Sequence, residues 1–113
     1  MVRASEVDVE LNLSAIPMLD GAEETVKDGI VSSLQPQNVR LRRAIFNLDD
    51  AAKDPRYPLI FDPQTSGGLL ASVPMNKVTE CVTALRELGY DRTAIIGKVL
   101  PKSDRLEPVE IKV

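Results

Sequence analysis

Residues 61–70 read FDPQTSGGLL. An apolar approach through Pro58, Leu59 and Ile60 stops at an acid and a proline, Asp62 and Pro63. An amide, two hydroxyls and two glycines follow, and an apolar run then resumes and reaches Val73. Read as a turn into a strand, this stretch makes residues 68–73 a buried strand. Pro63 fixes its own φ and biases Asp62 towards extended geometry. Gly67 and Gly68 are free to take positive φ and leave room for a ligand to approach the backbone, while Thr65 and Ser66 add hydroxyl donors. Exposed N–H groups in such a turn can form an anion-binding nest. The stretch is not a Walker loop: no lysine follows the glycines, and they lead towards a strand rather than a helix. Composition alone reads it as a turn before a strand, with six consecutive polar or small residues as its odd feature.

Upstream, residues 6–13 alternate strictly. Val7, Val9, Leu11 and Leu13 point one way, and Glu6, Asp8, Glu10 and Asn12 the other, which predicts a half-buried strand with its acids in solvent. Pro17 punctuates a turn, and Asp20 is placed to N-cap a helix over residues 21–27, with Glu23 and Glu24 in the dipole-favoured first turn and Gly29 as its stop. Asn38 is placed to cap a short helix with Val39, Leu41 and Ile45 inward and Arg40, Arg42 and Arg43 outward. Residues 49–57 read as a loop or one helical turn. Downstream, Pro74 and Asn76 open an amphipathic helix to about Leu88, with Val78, Cys81, Val82, Leu85 and Leu88 at helical spacing and Gly89 as its stop. Residues 93–100 are apolar on both faces and suit a central strand. Residues 107–113 alternate again and suit a last strand. The element order predicts an α+β sandwich, helices layered on a mixed sheet, in one domain over residues 1–113.

The totals bound the function. A chain of 113 residues buries about 65% of its unfolded surface, enough for one core. At 43% hydrophobic and 27% charged it has a globular balance, and with 4% aromatic residues the core is aliphatic. A net charge of -3 argues against a nucleic-acid partner. The absence of His excludes imidazole acid–base chemistry and His-bound zinc within this chain, and a single Cys excludes an internal disulfide or a CxxC pair. No apolar run approaches a membrane span and the N-terminus has no signal-peptide core, so a cytoplasmic domain is expected.

Each other candidate has a plainer reading beside it. The cluster of Arg40, Arg42 and Arg43 can bind phosphate or a carboxylate-rich partner, and it also reads as a solvated helix face. Cys81, on an apolar stripe, reads as a small buried hydrophobe. Asp49 and Asp50 can ligate magnesium but read as solvated acids, so no metal site is expected in this chain.

The nine residues from Asp62 to Leu70 closely resemble a signature of the selenide, water dikinase (selenophosphate synthetase) family, where the same stretch leads into a strand ending in a proline, as Val73-Pro74 does here. Residues 16–22 (IPMLDGA) look like the family's leucine-proline-x-leucine-x-glycine-alanine stretch before a helix. Asn38 sits where the family carries an asparagine after a variable loop, and residues 86–90 and 94–98 look like its closing helix and following strand. The resemblance runs from about Val7 to Pro101; the tail beyond has no counterpart in it.

The resemblance implies the C-terminal domain of the aminoimidazole ribonucleotide synthetase superfamily, a layered α/β arrangement partly like a ferredoxin fold. It implies a parent enzyme that converts ATP, selenide and water to selenophosphate, AMP and phosphate. The family's reactive cysteine or selenocysteine, its lysine and the aspartates that hold magnesium and ATP belong to an N-terminal half that has no counterpart here. Cys81 is therefore not assigned the reactive role, and no catalytic residue is expected in this chain. The expected partners are that N-terminal domain and, through it, ATP and selenide; the full-length enzyme is expected to be a homodimer. Thr65, Ser66, Gly67 and Gly68 are the residues placed near phosphate, with Asp62, Pro63, Gln64 and Asn38 shaping the loop or a domain interface. Two other readings stay open. One is the equivalent domain of another superfamily enzyme, such as a thiamine monophosphate kinase or a hydrogenase-maturation protein, against which the unbroken nine-residue stretch argues. The other is a non-catalytic interaction or regulatory module.

Overall fold

The structure, a computed structural model, describes residues 1–64 and 67–113. It is an α+β fold whose sheet has three strands, β1 (Val7–Asn12), β2 (Gly97–Pro101) and β3 (Val109–Lys112), in the order β2-β1-β3. The alternation of residues 6–13 does produce a strand, and β1 becomes the middle one. It pairs antiparallel with β2, with Val9 opposite Val99 and Leu11 opposite Gly97, and parallel with β3, with Val9 opposite Val109 and Leu11 opposite Ile111. An added Cβ at Gly97 would collide with the backbone of Glu10, so glycine is what lets β2 close on β1 there. The helices are short: α1 (Ala22–Lys27), α2 (Gln35–Asn38), α3 (Leu48–Ala51) and α4 (Val78–Glu87), with 3₁₀ segments of three to six residues between and beside them.

Both predicted glycine stops hold. After α1 the Gly29 N–H reaches the Val26 carbonyl and the Ile30 N–H the Thr25 carbonyl, with Gly29 at φ +74°. After α4 the same pair of bonds runs from Gly89 to Arg86 and from Tyr90 to Leu85, with Gly89 at φ +93°. These are Schellman closures, which need a left-handed residue. Asp20 does not cap α1. Gly21 takes the N-cap position in the left-handed region, and the Asp20 carboxylate instead accepts from Arg92 at 3.0 Å.

The core consists of Leu13, Ile45, Ala51, Phe61 and Ile111, with Ile16, Val39, Leu48, Tyr57 and Val109 among the side chains packed on it. It lies between the sheet and the segment 39–61. Asn47 joins the two: its Nδ2 donates to the Ile111 carbonyl (2.6 Å) and its Oδ1 accepts from the Ile111 N–H (2.9 Å). Beside it the Phe46 N–H donates to the Val109 carbonyl at 2.7 Å, and Ile45 bridges Val109 in parallel. Residues 45–47 thus cover the outer edge of β3 as a very short strand would.

Three expectations are overturned. Residues 68–73 form no strand. They pair with none of β1, β2 and β3, and Leu69 and Leu70 stand exposed. Residues 93–100 do not form a central strand: only their second half pairs, as β2 on the far side of β1 from β3, and Val99 is half exposed. Asp8 does not face solvent but is 2% exposed. The link from β2 to β3 must cross β1, and it crosses at the N-terminal end, bringing Ser103 and Arg105 onto the carboxylate. The Ser103 hydroxyl donates to Asp8 Oδ2 at 2.5 Å, and the Ser103 N–H and Arg105 guanidinium add longer bonds. Arg105 also bonds Glu110 and lies 4.4 Å from the Phe46 ring centroid. Smaller corrections concern helix faces. Leu41, expected inward, is exposed, and Cys81 on α4 is half-buried rather than buried.

Asn47→Ala would leave the Ile111 N–H and carbonyl unpaired at the core's edge, and the expected loss is about 1–3 kcal/mol, read from the urea midpoint. An unchanged midpoint would show that the Asn47 bonds are replaced at no cost. A second expectation concerns acid. The Ser103 hydroxyl is the main cause that holds the Asp8 carboxyl below its ordinary value, against the opposing effect of burial, and Lys112 and Arg105 lower Glu110 likewise. Below the ordinary carboxylate value of about 4 the unfolded chain therefore binds more protons than the folded one, so stability is full above that value and falls as pH drops through the lowered values. Asp8→Asn should flatten this acid limb in denaturation midpoints taken from pH 6 to pH 2; an unaltered limb would assign the acid sensitivity elsewhere.

Candidate functional site

The approach to residues 62–70 is a 3₁₀ turn, Tyr57–Phe61, whose final carbonyl, that of Phe61, lies beyond the turn's own i, i+3 bonds. α2 supplies donors to it and to an earlier carbonyl of the turn. Gln35 and Asn38, three residues apart and so on one face, donate from their amides to the carbonyls of Pro58 (2.8 Å) and Phe61 (3.1 Å), which are also three apart. Gln35 is buried, Asn38 half-buried, and the Phe61 ring meets Tyr57 edge to face at 5.1 Å. Asn38 therefore does not cap the helix after it, as expected from sequence. It is the last residue of α2, and its side chain fixes the residue immediately before Asp62. The Tyr57 hydroxyl is buried with no partner among the described residues, and burial raises its pKa, opposed by the charge of Arg42.

Asp62 is extended, at φ −63° and ψ 125°, as the following Pro63 predicts. Asp62 and Pro63 are half-buried, and the exposed Gln64 folds back so that its Nε2 donates to Asp62 Oδ2 at 2.5 Å. Thr65 and Ser66 lie outside the described residues. Gly67 and Gly68 are exposed, and neither takes a positive φ. A Cβ at Gly68 would meet nothing, so space does not demand glycine there in this chain alone. The structure thus brings Asn38, Asp62, Pro63 and Gln64 together. Gln35 and Tyr57 belong with them and were not singled out from the sequence; the i, i+3 spacing of two amides around Pro36 was the available signal.

Two open concavities border other parts of the fold. One, of about 380 Å³, is lined by residues of the 14–24 segment and Arg56; the other, of about 340 Å³, by residues 46–50. Neither includes residues 61–64. Asp49 and Asp50 are exposed, and Asp50 is held by Lys53 at 2.7 Å. Among the described residues no three acidic or thiol side chains converge to hold a metal ion, and no helix is long and apolar enough to cross a membrane.

The structure is an α+β fold of domain size, and sequence comparisons show which proteins the chain is similar to. No family model matches the chain. It is 33% identical over 109 residues to selenide, water dikinase of Clostridioides difficile (strain 630), covering 93% of this chain and 30% of the relative. It is 36% identical over 97 residues to that of Rhizobium meliloti (strain 1021), covering 86% of this chain and 28% of the relative. It is 33% identical over 113 residues to that of Clostridium botulinum (strain Eklund 17B / Type B), covering 99% and 32%. The chain is homologous, along nearly its whole length, to a domain-length part of the selenide, water dikinases. It spans about 30% of the length of these curated relatives.

Gln35→Ala and Asn38→Ala should each cost about 1–2 kcal/mol of stability and, beyond that, raise amide hydrogen exchange selectively at residues 59–64. Uniformly faster exchange across the chain would show that the two amides do not hold this segment in particular.

Proposed function

We propose that this chain acts as the C-terminal domain of a cytoplasmic selenide, water dikinase and forms one wall of that enzyme's ATP cleft. The observation that carries the reading is the nine-residue stretch Asp62 to Leu70, within a chain that matches these enzymes over 93% of its length. Phosphoryl transfer depends mainly on positioning and on stabilising charge. This chain's part is positional. Gln35 and Asn38 hold the 3₁₀ turn, Pro63 and the Gln64–Asp62 bond set the direction of departure, and Thr65, Ser66 and the N–H groups at Gly67 and Gly68 present donors to phosphate. The residues here do not suit magnesium, since Asp49 and Asp50 are solvated and Asp50 is already paired with Lys53. The family resemblance places metal binding and the reactive sulfur or selenium in the N-terminal domain of the same enzyme, and no step of the reaction is routed through this chain's acids.

A non-catalytic interaction module is the second reading, favoured by the exposure of Gly67, Gly68, Leu69 and Leu70. One experiment separates the two. The chain alone should form no AMP from ATP and selenide. Mixed with an N-terminal domain of a selenide, water dikinase it should restore selenophosphate formation, and Thr65→Ala combined with Ser66→Ala should abolish that activity. Restored activity indifferent to the double substitution would leave the loop a structural turn, and failure to complement would favour the interaction module.

A further inference from the structure

The positive charges of this acidic chain are not distributed at random. It carries 14 Lys and Arg against 17 Asp and Glu. Nine of the cations form ion pairs with a carboxylate. Of the five that do not, Arg86 is engaged by the Thr93 carbonyl and Arg3 lies near the N-terminus. The remaining three, Arg40, Arg42 and Arg43, fall within four consecutive residues, all exposed and with no carboxylate partner among the described residues. They occupy a 3₁₀ segment, Val39–Ala44. With three residues per turn, Arg40 and Arg43 are eclipsed on one face, so two guanidiniums stand one above the other. The charge of Arg42 acts on the Tyr57 phenol. Like charges at this spacing repel and disfavour the helical turn. Nine of the other eleven cations are paired with acids and these three are not, although net negative charge makes acids plentiful. A local conflict with no internal compensation is the mark of a group meant for a ligand.

The location adds to this. Asn38, the residue before this segment, is bonded to the Phe61 carbonyl, and Val39 packs on the core beside Phe61. The arginines are thereby fixed relative to the departure of residues 62–64. We infer that Arg40 and Arg43, with Arg42 beside them, form a binding site for an oligophosphate group, which under the reading proposed above is the phosphate chain of the nucleotide; the identification of the ligand rests on that reading. The planar guanidinium fork pairs bidentately with phosphate oxygens, and two stacked forks match successive phosphates better than a single small anion.

The test uses the 113-residue chain and inorganic tripolyphosphate, with ATP, inorganic phosphate and a poly-glutamate peptide as parallel arms. Titration followed by calorimetry and by the arginine Nε–H resonances should show tripolyphosphate binding with shifts centred on Arg40 and Arg43. Arg40→Gln with Arg43→Gln should raise Kd about tenfold or more, while Arg3→Gln with Arg86→Gln should not. Binding of ATP as tightly as tripolyphosphate identifies a nucleotide as the source, and tripolyphosphate alone identifies a free oligophosphate; either supports the site. Tighter binding of poly-glutamate, affinity for inorganic phosphate equal to that for tripolyphosphate, or a Kd unmoved by the double substitution overturns it. The variants' urea midpoints check that they fold. Because binding is read on this chain alone, loss of complementation with intact tripolyphosphate binding would remove the dikinase reading and leave the site, and the reverse would do the opposite.

Discussion

The pair of hydrogen bonds between the Asn47 amide and both backbone groups of Ile111 is the constraint on which the rest depends. A three-stranded sheet with short helices has few ways to attach a long irregular segment, because such a segment lacks a repeating face to bury. Here residues 39–61 attach by behaving as an extra edge to β3 at residues 45–47 and by placing Ile45, Ala51 and Phe61 against Leu13 and Ile111. Since Phe61 is the last residue before the 62–70 stretch, the same attachment fixes where that stretch begins. Gln35 and Asn38 then set its direction by donating to the carbonyls of Pro58 and Phe61 at the start and end of the 3₁₀ turn. Packing, edge protection and site placement are thus one connected arrangement.

What was legible in the sequence followed from short-range physics. The alternation of Val7, Val9 and Leu11 gave β1, the apolar spacing from Val78 to Leu85 gave α4, and Gly29 and Gly89 gave the two helix stops, because each depends only on residues within one or two turns. Asp8 was misread for the same reason. Alternation places it opposite the apolar face, which is correct, but whether that face meets water depends on a crossover link some 95 residues away that delivers Ser103 and Arg105. Burial of a charged group is tolerated when several donors satisfy it, and three groups do so here.

The 62–70 stretch divides in the same way. Its entry was readable: Pro63 made Asp62 extended, and it is. Its exit was not, since a run such as Leu69 to Val73 becomes a strand only where it pairs with another strand, which depends on distant parts of the chain, and the sheet β2-β1-β3 forms without it. The amides that hold its base could not be ranked from sequence either, because Gln35 and Asn38 act on carbonyls 23 residues away. From its local sequence Asn38 was singled out as a helix cap, the role offered to an asparagine, and only the family resemblance set it among the residues shaping the loop or a domain interface.

Exposed Leu69 and Leu70 next to a loop with a fixed base carry a physical consequence for the proposed reading. Leu69 at 104% and Leu70 at 61% exposure leave apolar area in water that a neighbouring domain would cover at about 25 cal/mol per Å². A chain that spans about 30% of its relatives' length has such a neighbour available in the parent enzyme under the proposed reading. Covering the leucines would immobilise residues 67–70 from one end, while Gln35 and Asn38 hold residues 58–61 from the other. In such an arrangement the arginines on segment 39–44 are the part of the site already in place, because their backbone is set by the core and not by the partner.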